Sequence, residues 1–165
     1  MRERPGADEF LAAFDGRIFR PAGDDVRIQS GGGWGASGEE VTSLSLHFLL
    51  GRSNDSVIVE VSRGSRYQPV SALQHLVFEF AVMRRPRFPM VIERSRQAVT
   101  VEGRSCTFTA YTAGAAAVAT ATLGEVDVMV RCSRRRLGRL ALERIEPAEL
   151  RRAARRPRRA RATRP

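Results

Sequence analysis

An α+β fold is what this sequence predicts: a curved, mostly antiparallel sheet of seven or eight strands packed on one long helix. Three observations carry that prediction. Apolar and polar residues alternate from Thr42 to Leu50, with Leu44, Leu46, Phe48 and Leu50 on one face, and Val57, Val59 and Val61 repeat the pattern after a short turn. Leu73, Leu76, Val77, Phe80 and Met83 recur at the 3, 4 spacing of a buried helical stripe. Beyond Pro86, short apolar runs follow one another with no link long enough for a helical crossover, so their pairing is expected to be antiparallel.

Taken in order, Asp8 is the expected N-cap of a short helix through Phe10, Leu11 and Phe14, closed near Gly16. Val26 to Ser30 reads as a strand, followed by a glycine-rich loop from Gly31 to Gly38. The hairpin of Thr42–Leu50 with Val57–Val61 turns on the polar residues around Asn54. Pro69 suits the first turn of the long helix, where a missing N–H leaves no bond unmade. Arg84 and Arg85 suit its C-terminal dipole, and Pro86 ends it.

A meander follows. Met90–Glu93 and Gln97–Glu102 are strand-like, and Gly103 turns the chain into Cys106–Thr112. Gly114 leads into Ala117–Leu123, and Gly124 into a face of Val126, Val128, Val130 and Cys132. Arg134 to Arg136 reads as a loop, Leu140 to Ile145 as a last strand, and Pro147 as the end of the ordered body.

The 165 residues match one domain, 1–150, followed by an arginine-rich tail, 151–165, that repels itself and is expected to be unfolded when free. A body of this length buries roughly 70% of its unfolded surface without a metal or disulfide. All 28 basic residues are arginine and Asn54 is the single asparagine, as GC-rich coding produces. Eight of those arginines lie in the tail with no acid, whereas the body sets the remainder against all 18 acids. The net charge of +10 therefore describes the tail, and the body is close to neutral.

The absence of lysine excludes Schiff-base chemistry, a Walker-type phosphate lysine and a lysine general base. No apolar stretch resembles a signal peptide or a membrane span, so a cytoplasmic chain that makes no membrane contact is expected. Cys106 and Cys132 fall at opposite ends of two strands running the same way, roughly 20 Å apart at about 3.3 Å per residue, too far for a bridge. Reduced thiols are expected.

Gly33-Trp34-Gly35-Ala36-Ser37-Gly38 spells G-x-G-x-x-G, but it leads into Glu39-Glu40 and a strand instead of a helix N-terminus. A dinucleotide is not expected there. Trp34, flanked by Gly33 and Gly35, either plugs the core or projects as an anchor for a partner. His47 and His75 are the only histidines, and no H-x-x-x-H, C-x-x-C or H-E-x-x-H spacing exists, so neither metal nor cofactor is implied. Of the carboxylate pairs, Glu125 and Asp127 alone share a strand face, together with Arg131, and a solvated face keeps such acids alike.

Three functional readings follow. The first is a non-catalytic module that binds a protein or small ligand through its sheet face or through Gly33, Trp34 and Gly35. The second is association with nucleic acid, non-specific through the tail residues Arg151, Arg152, Arg155, Arg156, Arg158 and Arg159. It requires Arg84, Arg85 and Arg87 to converge with Arg134, Arg135 and Arg136 on one surface. The third is a small enzyme that gathers Cys106, a histidine and a carboxylate in a pocket between sheet and helix. The first is the expected one.

Overall fold

A computed structural model describes residues 5–29, 34–38, 40–52, 55–63 and 91–155. The long helix expected over 69–83 lies outside these residues. The elements, in order, are α1 (Ala7–Ala13), β1 (Phe19–Pro21), β2 (Val26–Gln29), β3 (Trp34–Ser37), β4 (Glu40–Leu50) and β5 (Asp55–Ser62). After them come β6 (Glu93–Val101), β7 (Arg104–Ala113), β8 (Ala116–Leu123), β9 (Val126–Ser133), α2 (Arg134–Leu137), β10 (Ala141–Arg144) and α3 (Pro147–Arg155).

The expected sheet-on-helix architecture is overturned. The strands form one sheet in the order β1-β10-β6-β7-β8-β9-β5-β4-β2, curled into a nearly closed, barrel-like wall, and the helices among the described residues are small. β3 pairs the first half of β4 and β2 the second, so the two act as one interrupted strand. The alternation had identified the apolar faces correctly but not what covers them. Leu44, Leu46 and Phe48 of β4 face inward with Val57, Val59 and Val61 of β5, Phe108 of β7, Ala119 of β8 and Val128 and Val130 of β9. Because the sheet curls, these faces bury one another, and the main core lies inside the wall, while Tyr111, Ala113, Val118 and Met129 form a second buried cluster on the opposite face.

The hairpin forms as the alternation indicates, with Phe48 opposite Val57 and Leu46 opposite Val59. β6 to β9 form the expected antiparallel meander. Its first turn places Glu102 at φ 50° and Gly103 at φ 77°, the left-handed pair that a two-residue hairpin requires. Antiparallel pairing fails at one place: β10 returns across the barrel end and pairs parallel with β6, Leu142 opposite Val101. The argument from link length applied to consecutive strands, and these two are not consecutive.

α1 is capped by Gly6, and Asp8, the expected cap, lies instead in its first turn. The expected loop Arg134–Arg136 is helical, because the Ser133 hydroxyl accepts the Arg136 N–H at 3.1 Å and caps the turn. The expected boundary at residue 150 falls inside α3. Pro147 starts that helix, and Leu150 and Ala154 turn toward the core, Leu150 only 2% exposed.

Nothing in the ladder joins β1 to β2, the two ends of the sheet, among the described residues. Arg20 of β1 spans that seam. Its Nη2 donates to the Gly23 carbonyl at 3.1 Å and the Val26 carbonyl at 3.5 Å, and its Nη1 donates to Glu149 of α3 at 3.1 Å. The Arg20 and Glu149 side chains are 15% and 18% exposed, so this pair is screened less than a surface pair. Arg20→Ala is expected to cost about 2 kcal/mol in urea melts and Glu149→Gln about 1 kcal/mol. The double variant should cost less than the two together, and strictly additive losses would show that the seam does not depend on this pair.

Candidate functional site

Strand register determines which side chains reach the barrel mouth. Inward positions alternate, so the apolar face of β7 runs Phe108, Cys106, Arg104, and that of β10 runs Leu142, Arg144. Phe19 lies opposite Arg144, and Val101 opposite Arg104. With Leu123 and the turn residues Glu102 and Gly124, these side chains line a cleft of about 510 Å³, which Arg17 closes on the α1 side. Three guanidiniums thus meet one carboxylate.

The three arginines are held differently. Arg144 Nε lies 2.7 Å from Glu102 Oε1. Arg17 Nη1 donates to the Leu123 carbonyl at 3.2 Å, and its guanidinium passes over the Cα of Gly124, in the space that a side chain would fill. Arg104 is exposed and meets no carboxylate among the described residues. Phe19, Val101 and Leu123 supply an apolar floor, and Cys106 is half-buried beside it. An anion with an apolar body fits such a lining: charge-assisted donors above, hydrocarbon below.

The predicted site residues do not gather here. Trp34 lies on β3 opposite Leu44, half-buried against the core, so it plugs the core and does not project. Gly35 sits at a bulge where a Cβ would come within 2.6 Å of Ser43 Oγ, which is a packing reason for glycine. Gly33 lies outside the described residues. The G-x-G-x-x-G stretch runs into strands and has no helix N-terminus, as the sequence indicated.

Of the described arginines in the basic clusters, Arg134, Arg136 and Arg151 are held in ion pairs. Arg134 reaches Glu93 at 3.2 Å, and Arg136 reaches Asp55 at 2.7 Å. Arg135 is exposed. Arg151 donates twice to Asp8 Oδ1, at 3.0 and 2.8 Å, tying α3 to α1. Arg152 lines a smaller groove of about 220 Å³ against β2, and Arg155 ends α3. Arg84, Arg85, Arg87, Arg156, Arg158 and Arg159 lie outside the described residues, as does His75.

Neither cysteine forms a disulfide, and both face inward, whereas His47 stands on the outer face of β4, opposite Ile58. The wall separates them, so Cys106 and His47 form no nucleophile pair. Among the described residues no group of three His, Cys, Asp or Glu is placed to hold a metal, and no helix is long and apolar enough to cross a membrane. Glu125 lies 3.7 Å from Arg63, and Asp127 accepts the Thr122 hydroxyl at 2.7 Å, so the two acids serve separate partners.

The mouth was missed because no motif singles out Arg104, at the turn after Gly103, or Arg144, at the end of the last strand. The signal was their phase: each continues an apolar face, two residues from Cys106 and Leu142. No protein-family model, curated protein sequence or solved structure matches this chain.

Gly124, at φ 66°, offers a direct perturbation. Gly124→Ala is expected to cost about 1 kcal/mol for its left-handed backbone and to push Arg17 off the Leu123 carbonyl. A lower melting temperature with faster alkylation of Cys106 is expected, and an unchanged Cys106 rate would show that Arg17 does not close the cleft.

Proposed function

We propose that this chain is a non-catalytic, cytoplasmic binding module that holds a small organic anion in its barrel mouth. The observation that carries the reading is the lining of the cleft: among the described residues, Arg17, Arg104 and Arg144 against one acid, Glu102, over Phe19, Val101 and Leu123. Its volume falls in the roughly 300–1,000 Å³ range of small-molecule sites. Two cysteines that form no disulfide agree with a reducing compartment. His47 stands on the outer face of β4, away from the lining, which favours binding over turnover.

Cys106 supplies the assay. Alkylation by a neutral reagent is followed at Cys106, inside the cleft, with Cys132 as the control in the same chain. Organic phosphates, sulfonates and aromatic carboxylates are screened for slowing Cys106 alone. The effect should fade with salt, because the cleft is open to solvent. Arg104→Gln should weaken any protecting anion about tenfold without lowering the melting temperature of the free protein. Equal protection by neutral analogues, or none by any anion, would refute the reading.

A further inference from the structure

β6 is bonded unequally on its two sides. It pairs with β7 along its whole length, from Glu93 opposite Thr112 to Val101 opposite Arg104, but with β10 only at Thr100 and Val101. The two-residue turn at Glu102-Gly103 makes Val101 and Arg104 the closing hydrogen-bonded pair, so odd-numbered residues of β6 direct their backbone groups to β7. Even-numbered residues point the other way, as the Glu102 N–H does in donating to the Leu142 carbonyl at 2.9 Å. Arg94, Arg96 and Ala98 therefore aim their N–H and C=O groups at an edge where no other described strand pairs. All three are exposed. The side-chain amide of Gln97 folds onto the Ala98 carbonyl at 3.1 Å, occupying one acceptor of this edge.

We infer that this edge accepts an added β-strand from an acidic partner segment, one with carboxylates at alternate positions. Arg94 and Arg96 project from the same face of the sheet, beside Thr109 and Tyr111 of β7, and neither meets a carboxylate among the described residues. A strand laid along Arg94 to Ala98 completes the ladder, and its outer-face side chains fall directly opposite these two guanidiniums. Val91, 71% exposed, stands just before the edge and offers an apolar contact at its start.

Charge selects the occupant. A second copy pairing through the same three residues about a two-fold axis sets Arg96 opposite Arg96, and the neighbouring register sets Arg94 opposite Arg96. Like charges directly opposite one another destabilise a ladder. The arginines that repel a second copy attract an acidic strand, and in the free protein they also keep the edge from aggregating.

The test is fluorescence polarisation of a labelled peptide alternating Glu with Val against the full-length protein. Three comparison peptides replace Glu with Lys, replace Glu with Gln, or methylate alternate backbone nitrogens. The acidic peptide should bind and the lysine peptide should not. The glutamine peptide should be weaker by about tenfold, and methylation on the ladder-facing side should abolish binding. The double variant Arg94→Glu, Arg96→Glu, both on exposed positions, should fold with an unchanged melting temperature and prefer the lysine peptide.

Equal binding of acidic and lysine peptides, indifference to backbone methylation, or no peptide binding at all would overturn the inference. So would capture of a single-stranded oligonucleotide in place of the peptide, lost in the same variant, because the arginines would then be reading phosphate. Loss of anion protection at Cys106 bears on the mouth alone and leaves this edge unaffected.

Discussion

Closing the seam between the first and second strands is the constraint on which the rest of the molecule depends. A sheet that curls into a wall must bring its end strands together, and β1 and β2, three and four residues long, do not pair with each other. The junction is made instead by one guanidinium. Arg20 holds the Gly23 carbonyl of the link, the Val26 carbonyl at the start of β2 and the Glu149 carboxylate of the last helix, while Phe10, Phe14, Ile18 and Leu150 belong to the buried core. The junction also joins chain ends: Phe19 pairs with Arg144, and Asp8 with Arg151. Such contacts cost loop-closure entropy over nearly the whole sequence before they return any stability.

The mouth inherits its chemistry from that closure. Arg144 reaches the cleft because β10 is wedged between β1 and β6, in a register that leaves its inward face one residue longer than the hydrophobic core. Arg104 does so because a two-residue turn leaves no slack between Val101 and the start of β7. An arginine on the apolar face of a strand is costly deep in a core, but at the rim its charged head reaches water while its stem covers the floor. The Glu102 carboxylate holds Arg144 and the Leu123 carbonyl holds Arg17, whereas Arg104 meets no carboxylate among the described residues.

Much of the wall was legible because turn chemistry and alternation are local. Gly103, Gly114 and Gly124 all sit at positive φ between strands, where the sequence placed its turns. What alternation does not contain is the identity of the covering layer: Val57, Val59 and Val61 look the same whether a helix or another strand lies over them. β1 was illegible because three residues ending in Pro21 form too short a pattern, and β3 because its glycines read as a loop. α3 was hidden by composition. Its arginines suggested a tail, yet alanine and arginine are good helix formers, Pro147 opens the helix, Glu149 suits its first turn, and Leu150 and Ala154 share a face.

The same composition explains how a wall with few obvious anchors holds together. A lysine ammonium is a single point charge, whereas a guanidinium presents five donors in a plane. Arg20 uses that plane to hold carbonyls and a carboxylate at once, and Arg17 and Arg27 bond the carbonyls of Leu123 and Gly51 at two further turns. Arg136 clamps Asp55 through both Nε and Nη2. Arginine in this fold therefore does two kinds of work that its abundance alone conceals. Where a carbonyl or carboxylate lies within reach, it fastens strand ends and helices. Where none does, as at Arg94, Arg96 and Arg104, the same donors are left open to solvent.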